Sequence, residues 1–348
     1  MKRVLVTGAA GFIGRHTLRP LLASGYEVHA VSSRAVGGAT TEPDLHWHHT
    51  DLLAPEGPER LVRAVEPTHL LHLAWYTLTG AFWTAPVNLE WVDASLRLLR
   101  AFGECAGRRA VLAGTCTEYA WERLTHCIEE RPVPARDRAR EEVTAFAAWG
   151  RYPTRVCPAT LYGAAKHALH VVAERWTEQS EVELAWGRVF HAYGPHEHPA
   201  RLVSGVASAL LSGKEALCTS GRQIRDYSYT PELGGAFASL LASGVTGPVN
   251  MASGEPVRVA DLVMAVALAA GRPELVRLGA LAQRPGEPER LTADVRRLRE
   301  EVGWSPSITL EDGIVRTVEW WKHSLRQGDD ERLDSSSSET LKLPILTG

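Results

Sequence analysis

The sequence predicts an α/β fold, a doubly wound parallel sheet with a smaller mixed C-terminal lobe. Up to Thr115, short apolar runs alternate with longer amphipathic stretches, which is typical of stacked βαβ units. A glycine-rich turn directly follows the first of these runs. The strands predicted in this part are Arg3–Thr7, Val28–Val31, His69–Ala74 and Ala110–Ala113.

The later part of the chain is mixed rather than repetitive. Its patterns predict the strands Glu183–Val189 and Pro248–Met251 and the helices Ala164–Thr177, Leu202–Leu211 and Val259–Ala270. We expect the main sheet within residues 1–189, with an inserted helical segment at 126–155. We expect residues 190–325 to form a smaller lobe, from which some segments return to the main sheet. The tail at 326–348 is predicted to be disordered because it has few apolar side chains.

Composition and charge exclude several classes of protein. Lys and Arg total 38 against 41 Asp and Glu, a net charge of −3, which provides no basic surface for nucleic acid. The apolar run Leu262–Ala270 is too short to cross a membrane. The 5 cysteines are scattered without a Cys-x-x-Cys pair, so no metal site is expected. Their odd number favours free thiols and a cytoplasmic location.

The glycine-rich turn predicts a nucleotide site. Its sequence is Thr7-Gly8-Ala9-Ala10-Gly11-Phe12-Ile13-Gly14, placed between a strand and a helix. Glycines there permit a tight turn, and backbone N–H groups at the helix N-terminus bind a pyrophosphate. We therefore expect a Rossmann fold that binds a dinucleotide through Gly8, Gly11, Phe12, Ile13 and Gly14.

The residues after the second strand predict which dinucleotide binds. A site that prefers NAD places an acidic residue there, but this chain has Ser32-Ser33-Arg34. Because a guanidinium pairs with a 2′-phosphate, Ser33 and Arg34 favour NADP(H); the alternative for Arg34 is a solvated surface charge. Further cofactor contacts are expected at Asp51 and Leu52, beside the adenine, and at Leu73 and Ala74, where the fourth strand ends.

Tyr162 and Lys166 form a candidate acid–base pair. They stand four residues apart, which places them on one face of a helix if the helix has begun by Tyr162. An adjacent ammonium would favour the phenolate and lower the pKa of the tyrosine. By itself the Tyr-x-x-x-Lys pattern is weak and also fits a half-buried tyrosine beside a surface lysine.

The combination of motifs resembles the extended short-chain dehydrogenases/reductases of the nucleotide-sugar epimerase, dehydratase and reductase group. The similarity covers residue 1 to about residue 322. Besides the glycine turn and the Tyr162–Lys166 pair, it rests on His72-Leu73-Ala74, Gly114-Thr115-Cys116-Thr117-Glu118-Tyr119, Arg188-Val189-Phe190-His191-Ala192-Tyr193-Gly194-Pro195 and Arg225-Asp226-Tyr227.

The resemblance implies roles for three residues. Tyr162 would give or accept a proton, Lys166 would bind the nicotinamide ribose, and Thr115 would orient the substrate oxygen. The family's 4,6-dehydratases carry an acid pair after that threonine, but this chain has Cys116 and Thr117, which disfavours water elimination. A homodimer is common in the family and is therefore possible here.

On the substrate side, the resemblance implies contacts from His191 and Arg225. His191 replaces an asparagine that commonly touches a nucleotide diphosphate, which weakens the expectation of nucleotide-sugar binding. Arg225 and Arg284 fall where the family holds phosphate oxygens, and ordinary salt bridges are the alternative. Trp75 and Thr117 are also predicted to face the substrate.

The inserted segment is predicted to act as a lid. Its ends are anchored at Thr115 and Tyr162, and its helix at 135–149 has a short apolar face that includes Phe146 and Trp149. These two side chains are expected to close over the substrate. The alternative is a surface helix that packs only on its own protein.

These observations favour an NADPH-dependent ketoreductase. Its substrate would be a small-molecule ketone of secondary metabolism, either a keto-sugar nucleotide or a polycyclic aromatic polyketide. Two alternatives remain open: a nucleotide-sugar 4-epimerase, which would retain its cofactor, and a non-catalytic NADP-binding sensor or scaffold.

Overall fold

The structure is a computed structural model and describes residues 2–34, 42–121, 124–129 and 154–327. The strands of the main sheet are β1 (Lys2–Thr7), β2 (Tyr26–Ser32), β3 (Leu45–His49), β4 (His69–His72), β5 (Arg109–Thr115), β7 (Glu183–Val189) and β11 (Gly247–Met251). Those outside it are β6 (Leu124–Cys127), β8 (His191–Tyr193), β9 (Ala216–Leu217), β10 (Ile224–Tyr229), β12 (Pro256–Arg258), β13 (Val276–Arg277) and β14 (Arg290–Ala293). The helices are α1 (Leu18–Ala23), α2 (Gly57–Val65), α3 (Val87–Glu104), α4 (Leu161–Thr177), α5 (Leu202–Leu211), α6 (Thr230–Ala242), α7 (Val259–Ala270) and α8 (Leu310–Gln327).

The main sheet has seven parallel strands in the order β3-β2-β1-β4-β5-β7-β11. The order reverses between β1 and β4, which is the arrangement of a doubly wound Rossmann sheet. The predicted fold class is confirmed. In such a sheet ligands bind at the carboxyl ends of the strands near the reversal, where the glycine turn begins.

Burial on both faces explains the continuous apolar strands. In β1, Val4 and Val6 pack into one layer with Leu21 of α1 and Phe237 of α6. The intervening Leu5 packs into the opposite layer, under α2, α3 and α4. The central strand is thereby buried on both sides.

Two predicted boundaries shift near the glycine turn and the catalytic helix. β4 ends at His72 rather than Ala74: the Leu73 N–H still donates to the Thr7 carbonyl at 3.2 Å, but the Ala74 N–H donates to the Thr7 side-chain hydroxyl at 3.3 Å. Helix α4 begins at Leu161 because the Thr160 hydroxyl caps it by accepting from the Gly163 N–H at 3.1 Å. Tyr162 therefore lies in the first helical turn, as its pairing with Lys166 requires.

A smaller sheet lies beside the main one. Its order is β12-β10-β14-β6, with β8 also paired to β10, and it mixes one antiparallel pairing with parallel ones. A further parallel pair joins β9 and β13. Strand β6 pairs with β14, so the residues at the start of the expected insertion belong to the smaller sheet. The division of the chain at 189 remains a prediction.

The expected helix at 135–149, with Phe146 and Trp149, and the serine-rich tail lie outside the described residues. Within the described ranges, the helices are all too short or too polar to span a bilayer.

Candidate active site

A cavity of about 260 Å³ opens at the carboxyl edge of the main sheet. It runs from the glycine turn, past the ends of β4 and β5, to the first turns of α4 and α5. The sequence-predicted residues that line it are Gly8, Gly11, Phe12, Ile13, Gly14, Leu73, Ala74, Trp75, Thr115, Thr117, Tyr162, Lys166 and His191.

The glycine turn fits a dinucleotide pyrophosphate. Gly8 has a φ of 68°, and a Cβ there would come within 2.8 Å of the Ala74 nitrogen. A Cβ at Gly11 would come within 2.9 Å of the Gly8 carbonyl oxygen, which already accepts the Gly11 N–H at 2.9 Å. The turn is therefore restricted to glycine, and its backbone lies open on the cavity.

The residues predicted to bind the adenosine half lie along the same edge of the sheet but do not line this cavity. Ser33 and Arg34 are exposed directly after β2, and the Arg34 N–H is held by the Ser32 hydroxyl at 3.1 Å. Asp51 is exposed after β3, whereas Leu52 is buried in the core.

Thr115 caps a single helical turn at 116–118. Its hydroxyl accepts the Thr117 N–H at 3.2 Å, while the Glu118 carboxylate accepts the Thr115 N–H at 2.8 Å. This reciprocal pattern is a capping box. Thr115 and Tyr162 both line the cavity, and the Thr115 side chain acts to lower the pKa of the Tyr162 phenol, so the two predicted catalytic groups lie together.

Glu118 is a functional residue that the sequence reasoning missed. Its carboxylate is fully buried and accepts from the Arg188 Nε at 3.0 Å and from the Trp186 indole at 2.9 Å. It therefore connects β7 with the turn that presents Thr115. The Thr-x-x-Glu spacing of a capping box was a signal in the sequence that could have identified it.

Aromatic rings surround Tyr162, which is half-buried. The centroids of Phe82, Trp83 and Trp75 lie 4.9, 6.1 and 6.5 Å from its ring, all edge-on. The Tyr162 N–H also donates to the Trp83 carbonyl at 3.1 Å. Burial raises the pKa of the Tyr162 phenol, and the nearby Thr115 side chain acts in the opposite direction. The phenol is therefore protonated at neutral pH.

Lys166 does not lower the pKa of Tyr162 in the way the sequence suggested. Its ammonium donates to the Ala113 carbonyl at 2.7 Å and lies 3.8 Å from the centre of the Trp75 ring. Burial lowers the pKa of Lys166 to about 7, although the Glu118 carboxylate acts in the opposite direction. Its charge is therefore sensitive to pH near neutrality.

The far end of the cavity is polar. His191 packs 5.1 Å from the Tyr227 ring, and within the described structure its Nδ1 atom has no hydrogen-bond partner. Glu197 and Arg201 also line this end. Burial raises the pKa of Glu197 to about 7, whereas Arg201 acts to lower it. The sequence reasoning did not single out Glu197 or Arg201, and no motif marked them.

The two arginines expected to hold phosphate do not line the cavity. Arg225 is buried and donates to the Glu287 carboxylate at 2.7 Å and to its own neighbour, the Ile224 carbonyl, at 2.9 Å. Arg284 is exposed. For Arg225 the alternative of an ordinary salt bridge therefore holds, because its guanidinium is already paired with the Glu287 carboxylate.

Comparison with known proteins identifies the family of this chain. The model of the NAD dependent epimerase/dehydratase family matches residues 4–252. The chain belongs to this family. Its resemblance to extended short-chain dehydrogenases/reductases is thereby confirmed, and it is an NAD(P)-dependent oxidoreductase of that type.

The relatives are similar to this chain along most of its length. UDP-glucuronic acid decarboxylase 1 of Xenopus tropicalis is 25% identical over 93% of this chain and 73% of its own length. A probable UDP-glucuronate 4-epimerase of Rhizobium meliloti is 25% identical over 93% and 98% of the two chains. The crystal structure of Thermus thermophilus UDP-glucose 4-epimerase with NAD has a TM-score of 0.73 and 28% identity, covering 92% and 99%.

We expect Glu118→Gln to lower the free energy of unfolding by about 3–5 kcal/mol, because it removes the charge of a fully buried carboxylate that pairs with the Arg188 guanidinium. Urea denaturation measures this loss. Glu104→Gln, which removes an exposed pair with Arg100, is the matched control and should change stability by less than about 0.5 kcal/mol. Equal losses in the two variants would show that the buried pair has no special role.

Proposed function

We propose that the chain is an NADPH-dependent ketoreductase that acts on a small-molecule ketone. The observation that carries this proposal is the grouping of Thr115, Tyr162 and Lys166 in one cavity that continues to the glycine turn. The cavity offers Cys116 and Thr117 where a dehydratase needs an acid pair. Burial raises the pKa of the Cys116 thiol to about 12, so this thiol is no acid at neutral pH.

Thr115, Tyr162 and Lys166 each have a separate role in the proposed reaction. Thr115 hydrogen-bonds the substrate carbonyl oxygen, and Tyr162 delivers a proton to the alkoxide oxygen as the carbonyl is reduced. The raised pKa of Tyr162 keeps this proton in place until the oxygen becomes basic. Lys166 holds the nicotinamide ribose. When bound, NADPH supplies the hydride to the carbonyl carbon.

The lining of the cavity supports a substrate with a flat apolar part. Trp75, Phe82 and Trp83 offer ring surface beside Tyr162, and such surface suits an aromatic polyketide. The relatives named above act on nucleotide sugars, which favours a keto-sugar nucleotide. Against that substrate, Arg225 is already neutralised by Glu287. We therefore favour the aromatic ketone.

A nucleotide-sugar 4-epimerase is the second candidate, supported by the epimerases among the relatives. It would keep its cofactor bound and show no net redox change. The exposed Ser33 and Arg34 favour exchangeable NADPH instead.

Five free thiols support a cytoplasmic location. A homodimer is part of the proposal by analogy with the family.

Arg34→Ala tests the choice of cofactor. We expect it to weaken NADPH binding by about 1.5–3 kcal/mol, the scale of a charge-assisted hydrogen bond, while NADH binding stays nearly unchanged. Fluorescence titration of both cofactors measures the difference. Arg63→Ala, on the exposed side of α2, is the control and should affect neither. Equal losses for NADPH and NADH in the Arg34 variant would refute a 2′-phosphate contact.

Tyr162→Phe tests proton delivery. It should lower kcat about 10²- to 10⁴-fold and leave NADPH affinity intact, since the phenol acts on the substrate oxygen alone. Steady-state kinetics with cofactor titration separate the two effects. Tyr76→Phe, which alters a half-buried tyrosine outside the cavity, should keep the original rate. Near-native turnover of the Tyr162 variant would assign the proton to another group.

A further inference from the structure

A cluster of imidazole and carboxylate groups lies at the outer edge of the main sheet, away from the cavity. Glu27 and His29 are alternate residues of β2, and His46 and His48 are alternate residues of β3. His29 is the register partner of His46, so the four side chains lie on one face of the two strands. Because the groups come from two strands, no spacing along the sequence marks them.

Three of these groups are spaced like the ligands of a metal ion. The Oε1 atom of Glu27 lies 3.1 Å from the Nε2 atom of His29 and 3.6 Å from the Nε2 atom of His46. All three atoms lie within 4.8 Å of one another. A zinc ion holds nitrogen and oxygen ligands at about 2.0–2.2 Å, which separates tetrahedral neighbours by about 3.4 Å. Small side-chain movements would therefore complete the site.

Two further side chains, Arg3 and His48, contact the proposed ligands Glu27 and His29 and orient them. The Arg3 Nε donates to the other carboxylate oxygen of Glu27 at 3.2 Å. The Oε1 atom is hydrogen-bonded to the His29 Nε2 atom at 3.1 Å, and a metal ion bound between these two atoms would replace that hydrogen bond. The Nδ1 atom of His29 lies 2.8 Å from the Nε2 atom of His48. A metal-bound imidazole needs such a partner for its second ring nitrogen, because the partner fixes the tautomer and the orientation of the ring.

Access to solvent also suits a metal ion. The His46 side chain is 45% exposed, so one side of the cluster is open to water as a further ligand.

We propose that Glu27, His29 and His46 form a binding site for a divalent transition-metal ion such as zinc, with His48 and Arg3 as supporting groups. The ion would join the edge strand β3 to β2. Because β3 lies at one edge of the main sheet in the described structure, such a link would stabilise an edge strand. The site is independent of the proposed ketone reduction.

Calorimetric titration of the untagged full chain with Zn²⁺, after removal of metal by a chelator, tests the proposal. We expect one equivalent to bind and to raise the melting temperature. His46→Gln should weaken binding at least tenfold and abolish that rise, and its exposed position makes the change tolerable to the fold. His323→Gln removes an exposed histidine of α8 and should bind zinc as the original chain does.

The absorption spectrum of the Co²⁺ complex identifies the ligand type. Nitrogen and oxygen ligands give no thiolate-to-cobalt charge transfer, as the proposal requires. A thiolate band would assign the metal to a cysteine such as the exposed Cys157 and overturn the proposal. Absence of zinc binding, or unchanged affinity in the His46 variant, would overturn it as well.

Discussion

The buried carboxylate of Glu118 is the group on which the geometry of the active site depends. A fully buried charge is tolerated only with partners, and this one has the Arg188 guanidinium, the Trp186 indole and the Thr115 N–H. Through these contacts β7 and the end of β5 are fixed relative to each other. Thr115 is thereby held in the cavity that Tyr162 also lines, and the Glu118 carboxylate opposes the lowering of the Lys166 pKa.

Burial of the site serves two different purposes along the cavity. Around Tyr162 the aromatic rings remove water and raise the pKa of the phenol, which suits a group that must hold a proton until an alkoxide forms. At the other end, the polar side chains of Glu197 and Arg201 line the cavity. A molecule with a flat apolar part and a polar end would match both regions.

Local patterns predicted the fold well. The strand Glu183–Val189 and the helices Leu202–Leu211 and Val259–Ala270 have the bounds that their patterns indicated. Each of the two helices is followed by a glycine with a positive φ, Gly213 or Gly271, which ends the helical pattern. The glycine turn and the Tyr162–Lys166 pair could likewise be predicted from the sequence, since each is a short-range motif.

Contacts between distant residues could not be read from these patterns. The ring of Phe82 beside Tyr162, the pairing of Arg225 with Glu287 and the approach of Glu197 to the cavity join segments far apart in the chain. Periodicity reports which face of an element is buried, but it does not report which side chain lies opposite. The pairing of Leu124–Cys127 with Arg290–Ala293 is missed for the same reason.

Transfer of a labelled hydride tests the central claim most directly. The chain is incubated with NADPH carrying deuterium at C4 of the nicotinamide and with a panel of aromatic polyketide ketones and keto-sugar nucleotides, and the products are analysed by mass spectrometry. The account predicts an alcohol that carries one deuterium, formed together with an equal amount of NADP⁺. Conversion of a nucleotide sugar to its epimer, with no net oxidation of the cofactor and no label in the product, would contradict it.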